Sequence, residues 1–121
     1  MTNKEFNELF RNRTKKFALR VIDFLDTLSY SSTNQVLSTQ LCKSSTSVGS
    51  NFRAFCRGRS KNEMFSKICT VVEEADETLF WLELFLEKIG GNKDVIRSLL
   101  AEGIEISKVT TKIKDTMYKS R

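Results

Sequence analysis

The sequence has no histidine and no proline, and its 121 residues include only 5 glycines. Without histidine the chain lacks the commonest general base, the Ser-His and Cys-His dyads and most zinc sites. Without proline nothing breaks a long helix from within. No glycine-rich phosphate loop or dinucleotide fingerprint is present, because Gly49, Gly58 and the Gly90-Gly91 pair stand apart as punctuation. Cys42, Cys56 and Cys69 make an odd count with no Cys-x-x-Cys motif. They predict small buried thiols in a reducing, cytoplasmic setting rather than a disulfide framework. The opening MTNKEFNELFRNRTKK is charged throughout, so no signal peptide is expected. No apolar run reaches the ~18 residues of a membrane span.

What the chain does have is charge and helical period. Charged residues make up 29% and apolar residues 40%, enough for one packed core in a single domain over residues 1–121. The net charge of +5 is uneven. Residues 1–60 hold 10 Lys+Arg against 4 Asp+Glu, a net of +6, and residues 61–121 hold 10 against 11, a net of −1. A basic half beside an acidic half suits polyanion binding or head-to-tail contacts between subunits.

Four helices are predicted, over about 3–28, 34–57, 61–89 and 93–117. In the first, Phe6, Phe10, Phe17, Val21, Phe24, Leu25 and Leu28 form one stripe, flanked by Arg13, Lys16 and Arg20. The second starts near Thr33 or Asn34, with Leu37, Leu41, Val48, Phe52 and Phe55 inward. Its middle, Lys43 to Asn51, is rich in Ser, Thr and Gly, which are poor helix formers. It reads as helix held by packing, with a kink at Gly49-Ser50, and a true break near Ser47 is the alternative. Gly58 is expected to end this helix in the left-handed conformation, followed by the capping box Ser60-Lys61-Asn62-Glu63.

In the third helix Phe65, Ile68, Val72, Ala75, Leu79, Leu82, Leu86 and Ile89 recur at spacings of three and four, predicting a seam. A second surface off that seam carries Glu73, Glu77, Phe80, Leu84 and Glu87, with Trp81 at its edge, and predicts a contact with another subunit. Gly90-Gly91 stops this helix and Asn92 caps the fourth, whose Ile96, Leu99, Leu100, Gly103, Ile106, Thr110, Ile113 and Met117 face inward. Four matched rods with short connections predict an all-α, antiparallel up-down-up-down four-helix bundle.

The chemistry-bearing groups argue against an enzyme. Glu73, Glu74, Asp76 and Glu77 crowd together but off the seam, which favours a solvated or interfacial acidic face over a carboxylate metal site. No cofactor or small-molecule substrate is implied. Arg53, Arg57, Arg59 and Lys61 cluster where the second helix meets the third, with Lys67 beyond, and Arg13, Lys16 and Arg20 form a second row. Such rows can track RNA phosphates. They can equally form salt bridges with the acidic surface of the third helix, within or between subunits. A membrane-surface role is not expected, since every helix has an internal use for its apolar face.

The segments LSTQLCKSSTSVGSNFRAFCRGRSKNEMFSKI and EEADETLFWLEL, together with the opening FNELFRNRTKKFALRVIDFLDTL, resemble the bacterial four helix bundle protein family. Its older name is the intervening-sequence protein of large-subunit ribosomal RNA. The resemblance rests on Gln40-Leu41, Ser47-Val48-Gly49-Ser50-Asn51, Arg53, Arg57, Ser60-Lys61, Phe65, Lys67, Glu74-Ala75-Asp76-Glu77-Thr78 and Trp81-Leu82. It implies a ring of protomers, typically a pentamer. It also implies kinship with the accessory protein of diversity-generating retroelements, which binds a reverse transcriptase and nucleic acid. The expectation is a homo-oligomeric, non-enzymatic bundle that binds RNA or an RNA-handling protein. The alternative is a purely structural oligomer whose charges serve assembly.

Overall fold

Side-chain caps fix the start of each rod. The structure, a computed structural model, describes residues 1–120 apart from the side chain of Ile89. Helix α1 spans Asn3–Leu25 and opens on Thr2, whose hydroxyl accepts from the Glu5 N–H at 3.1 Å. It stops three residues short of Leu28, which packs half-buried against the core from the turn. Helix α2 spans Ser32–Cys56 and starts earlier than expected. Ser31 is its cap, accepting from the Asn34 N–H at 3.0 Å, while the Asn34 amide donates back to the Ser29 carbonyl at 2.9 Å. Asn34 therefore ties down the loop instead of capping.

The weak stretch of α2 is unbroken helix. Its hydroxyls back-bond to the preceding turn: Ser45 to the Cys42 carbonyl at 3.3 Å and Thr46 to the same carbonyl at 2.7 Å. Ser44 and Ser45 are buried, so the small side chains face neighbouring helices as packing requires.

Helix α3 spans Lys61–Leu84 and opens on Ser60, which accepts from the Glu63 N–H at 3.0 Å. The return bond of the box differs: Glu63 Oε1 accepts from the N–H of Arg59, at 3.4 Å, instead of that of Ser60. Gly58 is not left-handed, since only Gly90 and Gly91 have positive φ among the described residues. Glycine stands there for space. A Cβ on Gly58 would collide with Met64 Cγ. The end of α3 widens into a π turn, Phe85–Ile89, and the Lys93 ammonium donates to the Phe85 carbonyl at 2.9 Å. Gly90 (φ 113°) and Gly91 (φ 92°) make the reversal, and Asn92 caps α4, Lys93–Lys119.

The rods alternate in direction. Phe10 lies edge-on to Phe52 and Gly49 faces Thr14, which sets α1 against α2. Arg13 pairs with Glu102 and Arg20 with Ser98, which sets α1 against α4. Gly103 lies under Leu79 and Phe65 beside Tyr118, which sets α3 against α4. The fold is an all-α four-helix bundle.

The seam of α3 is not the one expected. Ile68, Ala75 and Leu82 are buried, but the row beside them is Val71, Thr78 and Phe85. Phe65, Val72, Leu79 and Leu86 are half-buried flanks, and the side chain of Ile89 lies outside the described residues. The cause is the tight fit of α3 on α2. The Thr78 hydroxyl donates to Ser44 Oγ at 2.9 Å, and Ser44 donates to the Leu41 carbonyl at 3.3 Å. This buried polar bridge turns a threonine inward where an apolar pattern places leucine.

Candidate nucleic-acid interface

The two basic rows expected from the sequence meet different fates. In the row Arg13, Lys16, Arg20, two members are bonded to α4. Arg13 clamps Glu102 through Nε and Nη2, each at 2.8 Å, and its guanidinium carbon lies 5.9 Å from the Phe10 ring centre. The hydrogen bond to Arg13 holds the Glu102 carboxyl below its usual range, and the same bond raises Arg13. Arg20 donates to Ser98 Oγ at 2.7 Å. Lys16 stays exposed. The partner of this row is α4, not the acidic surface of α3.

Arg53 and Arg57 instead line a groove between α1 and α2, of about 540 Å³. Its other wall carries Arg11 and Lys15, two residues absent from the sequence-based candidates. The floor is Ala18, Thr46, Gly49 and Ser50. Four cations against Glu8 leave the groove at +3. Burial raises the Cys56 thiol, and Arg11 and Arg57 lie close enough to offset part of that rise. Among the described residues the ion pairs are Arg13–Glu102 and Arg97–Asp94, so no groove cation forms one. Size does not single the groove out, because a cleft between α1 and α4 beside Arg20 and Asp94 has about 620 Å³. Composition does.

Arg59, Lys61 and Lys67 do not line the groove. Arg59 and Lys61 are exposed at the α2–α3 junction, and Lys67 is half-buried further along α3. The spacing of Arg11 and Lys15 was visible in the sequence, but not the helix that they face. They sit four apart on the flank of the α1 stripe opposite Arg13 and Lys16, and the Phe10–Phe52 register brings that flank to Arg53 and Arg57.

The second surface of α3 is partly open. Phe80 is 50% exposed and lies edge-on to Trp81 at 5.0 Å. Glu73, Glu77 and Glu87 are exposed, and Leu84 is half-buried. Trp81 is half-buried against the core, and its indole N–H donates to Glu77 Oε1 at 3.4 Å. Glu74, on the same helix, is pushed above the usual carboxylate range, first by burial and then by Glu77. Among the described residues no three His, Cys, Asp or Glu side chains converge as a metal site requires, and the three cysteines are half-buried free thiols. Among them, too, no helix is long and apolar enough to cross a membrane.

No family model matches this chain, and no curated protein does. A solved structure does. It is a protein with unknown function from the S23 ribosomal protein family of Bacteroides thetaiotaomicron, 26% identical, covering 90% of this chain and 97% of its own, with a TM-score of 0.81. That likeness agrees with the four-helix fold and gives loose support to a related family.

Proposed function

We propose that the chain is a non-enzymatic RNA-binding bundle that works as a homo-oligomer. One observation carries the reading: Arg11, Lys15, Arg53 and Arg57 line one groove with no ion pair among the described residues. Unpaired cations gathered in a concavity focus potential on a polyanion, and releasing counterions from RNA phosphates drives its binding. Arg59 and Lys61 extend the basic surface past the end of α2, and Lys67 lies beyond them. The half-exposed Phe80 among Glu73, Glu77 and Glu87 is the candidate subunit contact, with the half-buried Trp81 and Leu84 beside it in sequence. Five copies is the number that the family resemblance implies. An RNA-handling protein such as a reverse transcriptase, presenting acidic groups, is a partner of the same chemistry. No membrane, cofactor or small-molecule substrate enters this reading, and a reduced cytoplasmic setting suits the free thiols.

A second reading has its own observation. The exposed acidic face of α3 is complementary to the basic groove, so a neighbouring copy could cover those cations in a structural oligomer. Arg53→Glu and Arg57→Glu separate the two. RNA binding predicts lost affinity by fluorescence anisotropy at low salt with unchanged mass by light scattering. Assembly through the groove predicts a shift towards monomer and no RNA affinity to lose.

A further inference from the structure

Packing inside the protomer does not require glycine at position 49. Gly49 lies in the interior of α2, where glycine is a poorer helix former than alanine, and its φ is not positive. A Cβ built on it would lie 3.6 Å from the Thr14 carbonyl oxygen and 3.7 Å from Thr14 Oγ1, which is ordinary contact. The packing of α1 on α2 therefore has room for alanine. Gly49 also lines the basic groove beside Ala18, Thr46 and Ser50, so small residues line it where α1 and α2 meet. Glycine and small side chains suit a place where something approaches the backbone closely.

Above that floor the cations stand in two rows. Arg11 and Lys15 are one turn apart on α1, as Arg53 and Arg57 are on α2, a rise of roughly 6 Å in each case. Packed helix axes lie about 8–10 Å apart, so the strip between the two helices, at the bottom of the groove, is narrow. A duplex is convex and broad. It would meet the shoulders of this groove and leave the floor empty. A single phosphodiester chain is narrow enough to lie along it. Among the described residues no aromatic side chain lines the groove, so none there offers a base a stacking platform.

We infer that the groove between α1 and α2 seats the phosphate backbone of single-stranded RNA with its bases turned outward. Gly49 and Ser50 form the floor, and Arg11, Lys15, Arg53 and Arg57 form the walls. This rests on the RNA-binding reading above and adds to it the form of the RNA and its seat.

The test uses the whole protein and labelled oligouridylate, oligoadenylate and duplex RNA of about 20 nucleotides, longer than most single-strand site sizes. Affinity is read by anisotropy at low salt. The two single strands should bind alike, and the duplex about tenfold more weakly or worse. Gly49→Ala and Ser50→Phe keep every charge, and Ser50 is exposed, so the larger ring has room outside the core. Both should weaken oligouridylate by about tenfold or more. Gly49→Ala should melt at or above the wild-type temperature, which separates a blocked seat from a damaged fold. If Ser50→Phe fails to fold, Gly49→Ala decides alone. Wild-type affinity in the folded variants, or duplex binding as tight as single-strand binding, overturns the seat and leaves the RNA reading standing on open surface charge. No affinity for any of the three RNAs removes both.

Discussion

On one side of α1, Arg13 and Arg20 are bonded to Glu102 and Ser98 of α4. On the other side, Arg11 and Lys15 face Arg53 and Arg57 across a groove floored with small residues. Both sides are basic, and a charge count does not tell them apart. The difference lies in the neighbour. Helix α4 presents acceptors to α1, whereas α2 presents more cations. Charge on the α4 side serves the bundle, and charge on the α2 side is available to a partner.

That comparison assumes that both sides ride on one rigid core, and core substitutions should give the largest stability effects. Leu82 is fully buried, and truncating it to alanine should cost about 2–5 kcal/mol by urea denaturation. Leu79 is half-buried against Gly103, so Leu79→Ala should cost clearly less. Equal losses would restore the seam read from apolar spacing.

Charge reversal addresses the comparison itself. The pair Arg53→Glu with Arg57→Glu should lower RNA affinity by about a hundredfold, near 2.7 kcal/mol, and leave the melting temperature close to wild type. The pair Arg13→Glu with Arg20→Glu should do the reverse, lowering stability while RNA affinity falls much less. If both pairs lowered affinity equally, the side of α1 would not matter.

The smallest effect is the Arg13–Glu102 pair. Its side chains are 41% and 23% exposed, so solvent screens the bond, and a double-mutant cycle should give about 1 kcal/mol or less. Because the Glu102 carboxyl is held low in the folded state, its contribution is present above the ordinary carboxylate pKa. It is lost as pH falls through the depressed folded value. Glu74, held high, acts oppositely: it disfavours the fold once ionised, and that cost disappears as pH drops. Glu102→Gln should therefore flatten the acid limb of the stability curve, and Glu74→Gln should raise the plateau near neutral pH.

Much of the fold was legible because its signals are local. Caps at Ser60 and Asn92, the Gly90-Gly91 stop and the period of α4 all act within a few residues. The seam of α3 was misread because its inner row includes Thr78, whose hydroxyl lies in hydrogen-bond reach of both the Glu74 carbonyl of its own helix and Ser44 Oγ on α2. Gly58 was misread for the same reason, since its partner Met64 is a packing neighbour and not a backbone angle. Of the cations that line the groove, Arg53 and Arg57 had been singled out from their clustering. Arg11 and Lys15 were missed because only the α1–α2 register shows which flank faces them.

The most direct test of the unpaired groove is the salt dependence of wild-type affinity for single-stranded RNA. Four phosphate contacts predict that log K falls with log salt at a slope of roughly −3, and that the slope shrinks when Arg53 and Arg57 are neutralised to glutamine. A slope near zero, or one unmoved by those two substitutions, would contradict the account.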